Sequence, residues 1–504
     1  MSFTPSLGSA FNNTVNRSKQ ISPLSGMCSF CTEECPGTCE IALSAVLGAQ
    51  AVYPTTTGSN QVASEKNYPI DYSIFNINGR VFGAEGVPPV YEQAQIFNVD
   101  LGVTYGKTHP VKMALPIILP ALIKLNWQDY FGGAAMAGVS CVIGEGSRSK
   151  DPDAVYQDGK ITGFPFLKQI LDSFRKYDRG YGQIILQCNV EDDLCGLPEY
   201  AVTAHNVEGI EFKFGQSAKG TQPAHLLRGG YEEALRKRSE GVLVHPDPSS
   251  PEIQDACRRD VCPNFYSYDR LPLWDEDYLS GRIADLRRAG LKNVYFKMAG
   301  YDSADVERVI RIAASVKADM VTFDGAGGGS GYSPCKMMNE WGQPAVMLET
   351  TVVRIAKRLK KEGLQLPALV ITGGFSMEDQ VYKALALGDG EIAAVGLCRS
   401  SMAAAMTGKS IGSRIRSGEI PPMFRSFGAS VEEIFADIPD LRYLYGKEAS
   451  EFSTGAIGVY SYLNRISFGL QHFAALNRKF RLSCVNKDDL IPLTAEAREL
   501  LAGI

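Results

Sequence analysis

At 504 residues the chain has room for more than one domain, or for one large domain with insertions. Its 45% apolar and 21% charged residues are ordinary for a soluble globular protein, and a net charge of -5 gives no ground for nucleic acid or an anionic membrane as a partner. Twelve cysteines over this length do not make a disulfide scaffold.

In chain order, Met1 to Gly8 has no basic segment leading into an apolar core, so no signal peptide is expected. The most apolar stretch, Met113 to Leu125, is interrupted by Pro116, Pro120 and Lys124 and is too short to span a bilayer. A cytoplasmic protein is the expectation. Residues 1–27 are polar and rich in Ser and Asn, which reads as an extended arm. Cys28, Cys31, Cys35 and Cys39 follow, four thiols within twelve residues that can converge on one centre. Soft thiolates select an iron–sulfur cluster or zinc; a thiol-rich loop without metal is the plain alternative. Residues 40–52 have helical composition, and 53–110 read as irregular with short strands.

From there apolar strands alternate with helical patterns, the signature of a parallel sheet. Strands are expected near 111–119, 139–144, 182–188, 209–215, 293–299, 319–324, 368–373 and 392–397, with helices at 164–177, 303–316, 344–362, 378–387 and 399–407. Eight strands, each followed by a crossover, is the count for a closed (β/α)8 TIM barrel; an open doubly wound sheet is the alternative. Residues 216–292 are too long for one crossover and read as an active-site excursion. Residues 408–504 read as a helical tail centred on 454–476. The expected division is a Cys-rich arm at 1–110, a barrel at 111–407 and a helical extension at 408–504.

Chemistry-bearing residues gather at the strand ends. The stretch Met320 to Pro334 begins as a buried strand and breaks at Asp324 into glycines at 325, 327, 328, 329 and 331. Glycine lets the backbone approach a ligand closely, and successive bare N–H groups hold an anion such as phosphate. Gly373, Gly374 and Gly396 end the next two strands, and the loops after the last two strands of such barrels commonly build a phosphate site. Glu145, between two glycines after the second strand, sits where barrel enzymes keep an acid or base, although a glutamate there can also cap the next helix. Alternation places Glu211 and Lys213 opposite Ile210, Phe212 and Phe214, and Lys297 raises the same issue on the next strand. Two inward lysines would make a strongly cationic floor, unless they snorkel to the rim. Arg236 and Arg238 add carboxylate partners in the excursion. Cys141, Cys188, Cys195, Cys335, Cys398 and Cys484 read as buried small hydrophobes, and Cys257 and Cys262 lie close without completing a metal site.

Several of these segments together resemble a known family. They are Gly144-Glu-Gly, Lys213 to Lys219, Asp324-Gly through Gly328-Gly-Ser-Gly-Tyr-Ser-Pro334, Thr372-Gly-Gly, the Val395-Gly strand end, and Gly469-Leu-Gln and Arg478-Lys-Phe in the tail. They are similar to the FMN-binding synthase part of glutamate synthases, in particular the shorter single-domain glutamate synthase-related proteins. The resemblance implies a barrel carrying FMN that reduces 2-iminoglutarate, formed from 2-oxoglutarate and ammonia, to L-glutamate. Carried over, it implies that Glu145 handles ammonia and the imine. It implies that Lys213 and Lys219 hold the 2-oxoglutarate carboxylates or the flavin, and that Lys297 lies near the flavin N1/C2 carbonyl. His225 stands where the family usually has glutamine at the substrate, and Arg236 and Arg238 are counted with it as substrate-binding candidates. Gly327, Gly328, Gly373, Gly374 and Gly396 match phosphate-binding glycines, and Asp324 and Gly329 go with them. Three departures stand out. No N-terminal cysteine nucleophile or glutaminase domain is present, so ammonia is expected free or from a separate protein. The family's three-cysteine cluster is missing after the last strand, so the quartet at 28–39 is expected to stand in as electron entry, with a 4Fe–4S cluster ahead of 3Fe–4S. No glycine-rich NAD fingerprint opens a βαβ unit, so electrons are expected from ferredoxin or a partner flavoprotein, such as an NAD(P)H-oxidising subunit. A homo-oligomer is left open. The alternatives are the same barrel and FMN acting on another oxo-acid and amine, as in N-methylglutamate synthesis, or a flavin-binding subunit of a larger redox complex.

Overall fold

The computed structural model describes residues 68–123, 126–215, 224–326 and 341–504, with Ala45 and Val46. The cysteine quartet Cys28, Cys31, Cys35 and Cys39, together with Lys219, Gly327, Gly328, Gly329 and Cys335, lies outside the described residues.

Eight strands form a closed barrel in chain order: β1 (Ile117–Leu122), β2 (Ser140–Ile143), β3 (Ile184–Cys188), β4 (Gly209–Lys213), β5 (Asn293–Ala299), β6 (Met320–Asp324), β7 (Ala368–Thr372) and β8 (Ile392–Gly396). Neighbours are parallel throughout, and β8 returns to pair with β1. The crossovers begin with α1 (Trp127–Ala137), α2 (Pro165–Arg175) and α3 (Val190–Leu194) with α4 (Leu197–His205). An inserted module follows, holding α5 (Gly230–Ser239) and α6 (Pro251–Arg258) before α7 (Glu276–Arg288). Then come α8 (Ser303–Ser315), α9 (Ala345–Lys361), α10 (Glu378–Leu387) and α11 (Arg399–Arg416). This is the (β/α)8 architecture, not the open sheet.

Both faces of a barrel strand are covered, so the strands are apolar throughout, yet period-two alternation still sorts their residues. Leu119, Leu186, Phe212, Phe296, Phe323 and Ile371 point outward and pack under the helices. Ile118, Val142, Ile185, Tyr295, Met320 and Val370 form a separate inner core. An antiparallel hairpin, Val103–Tyr105 with Val111–Met113, contributes Tyr105, Val111 and Met113 to that inner core and closes the barrel floor.

Here the structure departs from the strand expected at 111–119. Residues 111–113 belong to the floor hairpin, and the barrel strand starts at Ile117 and runs to Leu122. Pro120 lacks the N–H that a ladder needs, and the register with β2 shifts between Leu119 and Leu122. The helix expected at 399–407 runs unbroken to Arg416. Helix α1 escaped the sequence reading because nine of its eleven residues are buried, which leaves no polar stripe to mark it.

The inserted module folds around its own small core of Leu227, Ala234, Val244 and Phe265. Its sheet is antiparallel, with Tyr266–Tyr268 between Ala224–Leu226 and Leu243–His245. Cys257 and Cys262 form a disulfide that closes the turn after α6, a bond the sequence reading left unassigned. In the tail, α12 (Thr454–Leu476) packs on α11 and α1. Gly408 and Gly458 let α11 and α12 approach closely, since a Cβ on Gly408 would lie 3.1 Å from the Gly458 Cα. A short ladder between Phe75–Ile77 and Leu490–Pro492 ties the two ends of this region together. Two buried bonds fasten it: Tyr72 Oη donates to Glu349 at 2.6 Å, and Lys479 pairs with Asp489 at 2.8 Å. Among the described residues no helix is long and apolar enough to cross a membrane.

Candidate functional site

The C-terminal strand ends open into a cleft of about 1180 Å3. Its inner wall is made by residues at or just past the strand ends: Gly144 to Gly146, Lys297, Asp324, Thr372 to Gly374, Gly396 and Cys398 to Ser400. Its outer wall comes from the inserted module, through His225, Arg236, Lys237 and Ser267.

The two strand lysines lie side by side, because the β4–β5 register sets Lys213 opposite Lys297. Neither is left bare. The Lys213 ammonium pairs with the Glu145 carboxylate, and Lys297 Nζ lies 3.7 Å from Asp324 Oδ2. Glu211, two residues before Lys213 and 1% exposed, accepts a bond from Gln187 Nε2 at 2.5 Å. The strongly cationic floor expected from the sequence is therefore a balanced one. Two unpaired ammoniums out of water would cost several kcal/mol each, and interleaved carboxylates remove that cost. Burial works against the Lys297 charge, yet Asp324 and Glu211 hold its pKa above the ordinary lysine value. Burial raises the Glu211 pKa, with Lys297 and Gln187 opposing it.

The ends of β7 and β8 line the cleft with glycines. Gly373 and Gly374 have φ of +128° and +90°, open to glycine and strained for other residues. A Cβ on Gly373 would lie 2.9 Å from the Gly325 carbonyl carbon and closer still to its oxygen, so two strand ends meet there backbone to backbone. A Cβ on Gly396 would lie 2.6 Å from the Thr372 Cβ. Helix α11 starts at Arg399 directly after β8, and Cys398 at its N-cap makes no side-chain capping bond. The first residues of α11 line the cleft, and the amides of its first turn have no side-chain cap from Cys398. The Arg399 side chain stands beside them, its pKa lowered by burial while Cys398 and Asp324 oppose. Glycine-pair amides, a helix N-terminus and a guanidinium are the donor set that suits a phosphate monoester, and Lys297 supplies a cation deeper in the same cleft. These residues fit a phosphate-bearing cofactor of the FMN type.

Cys398 corrects the sequence reading. It is partly exposed, lines the cleft, and its thiol lies 3.7 Å from the Pro120 carbonyl oxygen. Burial raises its pKa, with Lys297, Tyr130 and Arg399 opposing. Cys141, Cys188 and Cys195 are buried as expected, and Cys484 is partly exposed.

The loop that carries Glu145 is held by a feature the sequence reading missed. Helix α3 presents three consecutive buried carboxylates, and each bonds a different wall. Glu191 accepts from the Arg270 amide at 3.0 Å and from its Nη1 at 2.9 Å, at the end of the module. Asp192 accepts from the Gly146 amide at 2.8 Å and from Arg148 Nε at 2.9 Å. Asp193 accepts from Tyr278 Oη at 2.5 Å and Arg282 Nε at 2.7 Å, both on α7. Ion pairs across turns follow no sequence period, so the only signal was an acidic run opening a short helix.

The remaining expected residues fall as follows. His225 is exposed on the first strand of the module and lines the cleft. Arg236 lines the outer wall but is engaged on its own helix, 2.7 Å from Glu240. Arg238 pairs with Asp247 at 3.0 Å and does not line the cleft. Among the described residues no group of three or more His, Cys, Asp or Glu is placed to hold a metal ion.

Comparison with known proteins gives the following. Residues 269–407 match the conserved region in glutamate synthase. The archaeal glutamate synthase (NADPH) of Methanocaldococcus jannaschii is 35% identical over 182 residues, which is 36% of this chain and 31% of that protein. The archaeal-type glutamate synthase (NADPH) of Dehalococcoides mccartyi is 37% identical over 183 residues, 36% of this chain and 32% of that protein. The archaeal glutamate synthase (NADPH) of Archaeoglobus fulgidus is 33% identical over 195 residues, 38% of this chain and 33% of that protein. The matched part of the chain thus spans about a third of the length of these curated relatives. Among solved structures, the recombinant flavin-binding domain of baker's yeast flavocytochrome b2 superposes with a TM-score of 0.45 at 12% identity, covering 84% of this chain and 78% of that one. A flavocytochrome b2 variant with sulfite bound gives 0.46 at 12% identity, covering 84% and 77%. The match over residues 269–407 takes in strands β5 to β8 and the glycines at their ends, so this half of the barrel is similar to the conserved region in glutamate synthase.

Proposed function

We propose that the chain is an FMN-dependent oxidoreductase of the glutamate synthase type that reduces 2-iminoglutarate, formed from 2-oxoglutarate and ammonia, to L-glutamate. One observation carries the reading. Gly373, Gly374, Arg399 and the start of α11 share a cleft with Lys297, Asp324 and Glu145, the last paired with the buried Lys213 behind the wall, and residues 269–407 match the conserved region of that family.

The glycine amides, the start of α11 and Arg399 would hold the cofactor phosphate, joined by Gly327, Gly328 and Gly329 in the reading. When bound, the flavin supplies a hydride to the imine carbon. Lys297, kept charged by Asp324 and Glu211, would balance negative charge on a reduced flavin held in the cleft. Glu145 takes a proton from the amine as it adds to the oxo carbon and returns one to the oxygen that leaves as water. Lys219 and His225 would orient the two substrate carboxylates, with Lys213 acting through its pair with Glu145. Cys28, Cys31, Cys35 and Cys39 carry an iron–sulfur cluster as the electron entry, a reading that rests on their spacing alone. Ferredoxin or a pyridine-nucleotide-oxidising partner is the donor, in keeping with the NADPH named for the relatives.

The test is the visible spectrum with iron and sulfide content, followed by turnover of 2-oxoglutarate and ammonium with a reduced donor. A flavin spectrum and glutamate formation are expected. Glu145→Gln should cut turnover by about 10²- to 10⁴-fold with flavin retained, and Lys297→Met should lower the flavin midpoint potential or its occupancy. Protein without flavin, or flavin-replete protein that makes no glutamate, would refute the reading. His225 on the outer wall, where the family usually has glutamine, favours one second reading: the same chemistry on another oxo-acid and amine, decided by a substrate panel.

A further inference from the structure

Asp192 holds the turn that leads out of Glu145. Its side chain is fully buried. Oδ2 accepts the Gly146 amide at 2.8 Å and the Asn189 amide at 3.3 Å, and Oδ1 accepts Arg148 Nε at 2.9 Å. Gly146 directly follows Glu145 and has φ of +67°. A Cβ there would meet nothing within 4 Å among the described residues. The Gly146 carbonyl accepts from Ser149 Oγ at 2.7 Å and from the Ser149 amide at 3.0 Å within the turn, and the bond to Asp192 ties the Gly146 amide, the N–H of the peptide after Glu145, to α3. Glu145 in turn reaches across to Lys213 on β4. Arg148, further along the same turn, is pinned between Asp192 and Tyr156, whose Oη accepts from Nη1 at 3.1 Å.

We propose that Asp192 is a positioning residue for the active site: by anchoring the Gly146 amide and Arg148 it sets the one placement in which Glu145 meets Lys213. The neighbouring Glu191 and Asp193 bond to the module and to α7 instead, so this task belongs to Asp192 within the acidic run. The inference rests on the functional reading only in taking Glu145 as an active-site acid.

Asp192→Asn keeps the shape and removes the charge and one acceptor. A misplaced catalytic group lowers turnover steeply, so kcat should fall about 10- to 100-fold with KM and flavin content held near wild type. A readout free of substrate accompanies it. Lys213, 2% exposed and paired with Glu145, should resist acetic anhydride in the wild type and be acetylated faster in Asp192→Asn, followed by peptide mass spectrometry. Asp193→Asn removes the same charge one residue on and should leave Lys213 labelling at the wild-type rate. Equal labelling in both variants, unchanged labelling in Asp192→Asn, or a loss confined to KM would overturn the proposal. A wild type that makes no glutamate would sink the functional reading, while the labelling would still judge Asp192. If Asp192→Asn does not fold, hydrogen exchange of the wild-type Gly146 amide decides. Slow exchange supports the anchor, and exchange at the rate of exposed loop amides overturns it.

Discussion

Gly373→Ala tests the meeting of strand ends on which the cradle is built. Its φ of +128° is a conformation that costs a side-chain-bearing residue about 1–3 kcal/mol. The new methyl would also lie 2.9 Å from the Gly325 carbonyl carbon and 3.1 Å from its Cα. That neighbour is backbone and cannot rotate away. It is laced in place, with the Gly325 amide on the Thr372 carbonyl at 2.8 Å and the Ala326 amide on the Gln343 carbonyl at 2.6 Å. Overpacking of this kind adds about 1–3 kcal/mol, so a total loss of about 2–6 kcal/mol is expected. Gly390→Ala is the comparison. Its φ is +82° but a Cβ there meets nothing within 4 Å among the described residues, so it should cost only about 1–2 kcal/mol. Urea unfolding followed by tryptophan fluorescence measures both, and flavin retained after gel filtration reports on the cradle. Equal losses for the two variants would show that the β6 and β7 ends do not meet as described.

Glu349 is fully buried on α9, accepts from Tyr72 on one oxygen, and has no partner on the other among the described residues. Burial pushes its pKa well above the usual carboxylate range, with the Tyr72 bond opposing. The folded state then holds the proton more tightly than the unfolded chain. The stability it contributes is full below the ordinary glutamate pKa and is lost as pH rises toward the raised folded value. Glu349→Gln should therefore gain on the wild type from pH 4 to pH 8 in chemical denaturation; a gap that does not change with pH would refute this. The Cys257–Cys262 disulfide closes a loop of sequence separation 5, worth about 2 kcal/mol by chain entropy. Reduction, or Cys262→Ser, should speed limited proteolysis within residues 224–268 and leave cleavage of the barrel unchanged.

Much of the barrel was legible because inward and outward residues alternate in each strand and glycines stop the strands on one rim. Helices α8, α9 and α10 were found close to their true bounds for the same reason: each shows one apolar face to the sheet. The first strand was misplaced because 111–113 and 117–122 are both apolar, and no periodicity tells a floor hairpin from a barrel stave. The site was legible residue by residue but not as an assembly. Glu145 and Lys213 each stood out at a strand end, whereas their pairing across 68 positions depends on the β2–β3–β4 order. Asp192, Arg148 and Cys398 were missed because their roles come from turns brought together by the closed cylinder. Arg236 and Arg238 illustrate the converse: conspicuous charges that satisfy themselves on their own module.

The inserted module closes its sheet, its core and its disulfide before the chain returns through α7 to the barrel. Entrance and grip are therefore built from separate pieces of polypeptide. Reshaping the doorway through His225 or Lys237 need not disturb the strand ends of the inner wall, so the entrance can be re-engineered while the barrel rim stays as it is.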